Sequence, residues 1–246
     1  MKTRFWISDF FDISGGALRA LTHMPRRRKE ILSQIVSIGV ESLPIITLAT
    51  VFSGVVVSSE IAWHMDKALH TVSMIPGFTG QFILRELGIA IPAMLLISKA
   101  GAAITAEIGS MKITEQLDAL KLLKINPKEY LVMPIWIGSQ VALVCLTLFS
   151  IAITLACALG IAILNHGFTA GEYLNALEKL VSARDLGVAV IKAWVFGAVF
   201  PLVSCTYGFR CQGGAQGVGT ATTQAVVTGT MVTIVIDFVL TYLLVR

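Results

Sequence analysis

Five long apolar stretches decide what this chain can be. A helix needs about 20 consecutive, mostly apolar residues to cross the roughly 30 Å hydrocarbon core of a bilayer. Runs of that kind occupy about Ile35–Val57, Leu87–Ala106, Tyr130–Asn165, Gly187–Phe209 and Gln224–Val245. Hydrocarbon offers backbone N–H and C=O groups no outside partner, so such runs fold as helices. The fold class expected is all-α, a polytopic membrane protein with five transmembrane helices. Charge distribution agrees. Only 34 of 246 residues are charged, ten of them within residues 1–30 and eight within 107–129, which leaves no basic soluble face for DNA or RNA.

The third run is too long for a simple crossing: its 36 residues would extend about 54 Å as a helix. One tilted helix, a helix with a re-entrant elbow, or two short spans all fit. Basic residues favour a single crossing. On that count one side receives twelve Lys and Arg, including the run Arg26–Lys29, and the other receives five, Lys67, Arg85, Lys179, Arg184 and Arg246, with Lys99 and Lys192 inside spans. The richer side is cytoplasmic by the positive-inside rule, so the N-terminus is expected inside and the C-terminus outside.

Residues 3–24 mix Phe5, Trp6, Phe10, Phe11 and Leu18 with Arg4, Asp9, Asp12 and Arg19, too polar to span and apolar enough to lie in the interface. The chain therefore divides into an interfacial amphipathic and basic segment, residues 1–34, and a membrane domain, residues 35–246. No cleavable signal peptide is recognisable, so the first span is expected to serve for insertion. Polar loops are expected over about 58–85 and again around Glu172, Glu178, Arg184 and Asp185. Cys145, Cys157, Cys205 and Cys211 contain no C-x-x-C pair, and neither a metal site nor a disulfide nor a cofactor is expected.

The polar segment Glu107–Pro127 predicts a short cytoplasmic helix over about 107–126. Thr114 is placed to cap it, Glu115 and Asp118 stand in its first turn, Lys121 and Lys124 in its last, and Asn126-Pro127 ends it, all in the sense the helix dipole favours. Leu117, Leu120 and Leu123 or Lys124 fall at i, i+3 and i+6 or i+7, one narrow apolar stripe suited to a groove in a soluble partner. The glycine-rich stretch Gln212–Thr223 precedes the last span. It lacks the Lys of a phosphate loop and the third glycine of a dinucleotide fingerprint, so it reads as a site of close helix packing.

Three motifs occur in order: RELG at Arg85–Gly88, KAGAAITAEIGSMKITEQLDAL from Lys99 to Leu120, and GGAQGVGTATTQAVV from Gly213, with Asp237 ten residues beyond. Over about residues 30–245 the chain resembles the MlaE family, the permease subunits of MCE-associated ABC transporters that move phospholipid between bacterial inner and outer membranes. Two departures stand out. Lys99 occupies a position where the family usually carries arginine, and Thr220 another where it often does.

The resemblance implies a non-catalytic permease of the inner membrane, a homodimer whose coupling helix docks on a separate cytoplasmic ABC ATPase beneath a periplasmic MCE-domain hexamer. A small STAS-type accessory protein belongs to the same expectation. Coupling residues by resemblance are Glu107, Thr114, Glu115, Gln116, Leu117, Asp118 and Leu120. A lipid pocket is implied near the first span and the start of the second, where Arg85 would meet a phosphate, Glu86 an ammonium headgroup, and Leu87, Val55 and Val56 the acyl chains. A different class, a secondary transporter or channel working alone, would use Lys99 and Lys192, since intramembrane charges often mark a pathway. Each lysine is close enough to a span end for snorkelling to account for it. An intramembrane hydrolase lacks support, because His23, His64, His70 and His166 fall outside the expected spans.

Overall fold

The structure, a computed structural model, describes Gly15 and residues 27–65, 67 and 74–245. The expected interfacial helix over 3–24, apart from Gly15, lies outside the described residues, as does Arg246. Everything regular in the described chain is helical. The first span is α1 (Arg28–Ile38), a 3₁₀ turn (Val40–Ser42) and α2 (Leu43–His64). The second is α3 (Ile75–Phe82), a wide π turn (Ile83–Leu87), α4 (Gly88–Leu96), a second π turn (Ile97–Gly101) and α5 (Ala102–Ile113). A short helix, α6 (Gln116–Leu122), leads to α7 (Pro127–His166), α8 (Ala170–Leu180), α9 (Ala183–Phe209) and α10 (Gly214–Val245). Five helical stretches are long and apolar enough to cross a membrane. The stretch that sequence left open, 130–165, is one uninterrupted helix of 40 residues counted from Pro127.

The chain divides into two compact units. One comprises the described part of Met1–Ser42 with Met94–Leu143 and Trp194–Val239; the other comprises Leu43–Ala93, Val144–Ala193 and Leu240–Arg246.

In the first unit, polar side chains repair breaks in the helical ladder. Pro134 within α7 has no N–H to offer the carbonyl four residues back, which belongs to Tyr130. Arg27 supplies the missing donor: its Nη1 donates to the Tyr130 carbonyl at 2.6 Å while its guanidinium stacks 3.8 Å over the Tyr130 ring. Lys99 does the same at the 3₁₀ turn, donating to the Glu41 carbonyl and to Ser42 Oγ. This lysine thus bonds the broken first span. Trp136 Nε1 donates to the Ala198 carbonyl and Thr105 Oγ1 to that of Ser204, tying α7 and α5 to α9. The backbones meet closely at Gly197, where an added Cβ would stand 2.8 Å from Gln140 Cα.

In the second unit, the segment read from sequence as a loop contains α8. Thr169 and Glu172 form a full capping box: the Glu172 carboxylate accepts from the Thr169 backbone N–H and hydroxyl, and Thr169 Oγ1 accepts from the Glu172 N–H. The helix lays Leu177 and Leu180 against Gly80 and Gly77 of α3, and Tyr173 is buried. Burial pushes the Tyr173 phenol up to about 12.

Two outcomes follow from this packing. Gly197→Ala should lower the unfolding temperature in detergent, because over-packing against backbone costs about 1–3 kcal/mol; Gly187→Ala, whose Cβ meets nothing within 4 Å, should keep or slightly raise it, since alanine suits a helix interior better than glycine. The cap has a pH signature. Hydrogen bonds from Thr169 hold Glu172 below the usual carboxylate range, so its stabilisation is present above the unfolded value of about 4.3 and is lost as pH falls through the lower folded value. Amide protection at Tyr173 should therefore hold from pH 7 to pH 5, fall in stronger acid, and lose that dependence in Glu172→Gln.

Candidate functional site

The π turn at Ile83–Leu87 sets the first group of residues. A π turn inserts an extra residue into the helix and re-aims its side chains, and here it carries Arg85 and Glu86. Immediately beyond it, Gly88 lets the helix approach α7 so closely that a Cβ would fall 2.4 Å from Ile151 Cγ1. That close approach gives the last letter of RELG a physical reason.

Arg85 Nε donates to Asp185 Oδ1 at 2.8 Å. Asp185 belongs to the first turn of α9, and its other oxygen accepts from the Ser182 backbone N–H at 2.9 Å and the Ser182 hydroxyl at 3.1 Å. One carboxylate thus caps α9 and anchors the second span. Beside it, Lys192 of α9 is completely buried, at 0% exposure. Its ammonium donates to Glu86 Oε1 at 3.1 Å and to the Arg85 carbonyl at 2.9 Å. Thr241 of α10 donates to the same Glu86 oxygen at 3.1 Å.

Snorkelling therefore does not describe Lys192. A buried ammonium is tolerated only with a paired charge and filled hydrogen bonds, and Glu86 with the Arg85 carbonyl supply them. Arg85 and Glu86 keep 31% of their side-chain surface exposed. Among the described residues, no hydrogen bond engages the Arg85 Nη groups, so this edge of the guanidinium remains available. Leu87 is half-buried, and Val55 and Val56 are exposed on α2. The polar contacts described for Arg85 and Glu86 run to α9 and α10.

The second group lies in the polar segment between the second and third spans. In place of one helix over 107–126, the structure has two pieces. Glu107 belongs to α5, which continues the second span to Ile113. Thr114 closes that helix, its hydroxyl bonding back to the Ser110 carbonyl at 2.9 Å, and so does not cap the next one. Glu115 takes the left-handed conformation at φ 59° to turn the chain, and α6 follows with Gln116, Leu117, Asp118 and Leu120. Lys121 pairs with Asp118 at 2.6 Å. Leu117 is buried, at 3% exposure, in its own unit, Leu120 is half-buried, and Leu122 and Leu123 stand out at 86% and 70%. The stripe read from sequence is thus split: Leu117 and, in part, Leu120 face inward, while Leu123, with Leu122 beside it, is presented outward.

Sequence reasoning missed Asp185 as a cap and Lys192 and Thr241 as partners. Ser182-x-x-Asp185 before an apolar run is a capping signature, and Thr169-x-x-Glu172 likewise announces α8. The Glu86–Lys192 pair has no local signal, since its members are separated by 106 positions.

Five apolar helices, a short helix in the polar connection between the second and third of them, and a buried ion pair joining residues of three spans mark a multi-pass membrane protein. Comparison across the chain makes the class specific. The sequence profile described as Permease MlaE matches residues 31–243, and the chain belongs to the MlaE permease family of ABC transporters. It is 31% identical over 230 residues to a probable ABC transporter permease of Rickettsia typhi, covering 93% of this chain and 88% of that one. A probable ABC transporter permease of Synechocystis is 32% identical over 217 residues, with 88% and 82% covered. The chloroplast protein trigalactosyldiacylglycerol 1 of Arabidopsis thaliana is 31% identical over 212 residues, with 86% of this chain and 60% of that one covered. An ABC transporter permease works with an ATPase partner.

The buried pair gives a sharp expectation. Glu86→Leu strands the Lys192 ammonium and should cost about 3–5 kcal/mol of stability. Adding Lys192→Met should recover most of that loss, because apolar replacement of a whole buried pair is often neutral. Unfolding in detergent would measure both; a double variant as weak as the single one would contradict the pairing.

Proposed function

We propose that the chain is the membrane subunit of an ABC transporter that moves phospholipid between the inner and outer bacterial membranes. In this reading it sits in the inner membrane with its N-terminus in the cytoplasm and its C-terminus in the periplasm. It acts as a homodimer, driven by a separate cytoplasmic ATPase, with an MCE-domain hexamer on the periplasmic side and a small STAS-type protein as a further cytoplasmic partner. The observation that carries the reading is the family match over residues 31–243. The chloroplast relative, named for a glycerolipid, supports a diacylglycerol-based cargo. The fifth span supports a partner copy: only 11% of its most apolar window is buried, against 56% for the fourth.

The cargo site proposed is the exposed edge of the Arg85 and Glu86 pairs. The Arg85 Nη groups meet a lipid phosphate, and charge-assisted bonds of that kind are the stronger ones. The exposed part of Glu86 favours an ammonium headgroup, while Leu87, Val55 and Val56 pack acyl chains. Glu86→Lys would put two ammonium groups together and break the fold as well as the site, so Arg85→Lys, which keeps a positive charge for Asp185 and removes the guanidinium fork, is the cleaner probe. It should reduce phospholipid recovered with the purified complex and sensitise cells to detergent while leaving the assembly intact. Unchanged lipid content and unchanged resistance would remove Arg85 from the site.

Coupling is proposed through the segment Glu107, Thr114, Glu115, Gln116, Leu117, Asp118 and Leu120, with the outward Leu122 and Leu123 as its contact face. Leu122→Asp with Leu123→Asp should detach the ATPase without changing the chain's own unfolding temperature, whereas Leu117→Asp should unfold it, since an unpaired charge in a buried position costs several kcal/mol. Full co-purification of the ATPase with the Leu122→Asp, Leu123→Asp variant would place docking elsewhere.

A further inference from the structure

One cavity in the first unit is not used by the reading above. It has a volume of about 460 Å³ and is bounded by Lys112 at the end of α5, Leu117 and Lys121 of α6, Lys124 and Lys128 around the start of α7, and Phe209 at the end of α9. Four lysines thus line one cavity, and no carboxylate is among the residues that line it. The acids near it are already engaged: Asp118 pairs with Lys121 at 2.6 Å, and Glu129 accepts from Asn126 Nδ2 at 2.9 Å. Lys112, Lys124 and Lys128 make no ion pair among the described residues.

Position decides what kind of anion belongs there. The walls are the end turns of three helices long and apolar enough to cross a membrane, Ile75–Ile113, Pro127–Asn165 and Ala183–Phe209, and the lysines lie just past their apolar runs, on the side where a bilayer's headgroups would begin. Leu117 and Phe209 give the cavity an apolar side beside the charged one. A soluble phosphate would use only the lysines; an amphiphile with a phosphate and a glycerol backbone would use both. Basic pockets between spans on the cytoplasmic side recognise anionic headgroups through this combination.

We propose that this four-lysine cavity binds the phosphate-bearing headgroup of an anionic phospholipid from the adjoining leaflet, a bound lipid distinct from the cargo. Lys112, Lys124 and Lys128 contact the phosphate, Lys121 is oriented by Asp118, and Leu117 and Phe209 pack the glycerol and the first methylenes. Because Leu117 lies on the inward side of α6 and Leu122 and Leu123 on the outward side, the lipid would brace the helix from behind while its other face stays open. The inference does not depend on the cargo or the ATPase.

The test uses the full chain purified in mixed micelles containing phosphatidylglycerol or phosphatidylcholine, with bound lipid read by native mass spectrometry. Phosphatidylglycerol should be retained about tenfold over phosphatidylcholine, as several lysines at a headgroup imply. The variant Lys112→Gln, Lys124→Gln, Lys128→Gln should lose that preference, and Lys179→Gln, on the exposed face of α8, should keep it. Acetylation of the wild-type lysines supplies a reading that no folding defect can confuse: phosphatidylglycerol should protect Lys112, Lys124 and Lys128, and phosphatidylcholine should not. Equal retention of the two lipids overturns the proposal. Equal protection by inorganic phosphate assigns the cavity to a soluble anion, and protection that arises only when the ATPase is added assigns it to docking; both results overturn it as well.

Discussion

A buried ammonium group in a membrane protein is held by its partners, because hydrocarbon offers it neither water nor dielectric screening. Lys192 is in that position. Its charge is met by Glu86 and its donors by the carboxylate and the Arg85 carbonyl, and Thr241 closes the same oxygen from the last span. The neighbouring Arg85–Asp185 pair uses a carboxylate that also caps α9. The second, fourth and fifth spans of this unit are thus fixed by two acids and two bases whose removal one at a time would leave an unpaired charge. The π turn that carries Arg85 and Glu86 is held in place by the same contacts. The headgroup site proposed on that turn would inherit its rigidity.

The other unit follows the same rule with neutral groups. Where Pro134 withdraws a donor, Arg27 replaces it; where the first span breaks at Val40–Ser42, Lys99 bonds the exposed carbonyl. Basic residues that sequence counting treats as topology signals therefore have a second use, as donors to carbonyls the helices leave open. The turn at Glu115 and the seven-residue α6 then present Leu122 and Leu123 outward while Leu117 anchors the helix within its unit.

Much of this was legible beforehand, for reasons that can be named. Spans are visible because hydrocarbon demands runs of apolar side chains, and all five runs became helices, including the long one at 130–165 that composition alone left with three readings. Ends were harder. Arg28, Ile75 and Gly214 begin helices well before the apolar run does, since backbone bonding continues into the interface where polar side chains are welcome. The capping signatures at Thr169 and Ser182 were present in the sequence and would have placed α8 and the start of α9. Partner choice was not legible: whether Lys192 snorkels or meets Glu86 depends on how spans 106 positions apart are packed. The orientation of the α6 leucines escaped for a related reason, because a stripe of period 3.6 marks an apolar face without saying which neighbour covers it.

The central claim is that this MlaE-family permease converts the work of a partner ATPase into movement of phospholipid. The most direct measurement reconstitutes the chain with its ATPase in vesicles carrying a fluorescent phospholipid and follows the transfer of that lipid to acceptor membranes. ATP, but not a non-hydrolysable analogue, should accelerate transfer, and the acceleration should vanish when the permease is omitted. Hydrolysis that proceeds normally in the complete complex with no change in lipid transfer would contradict the account.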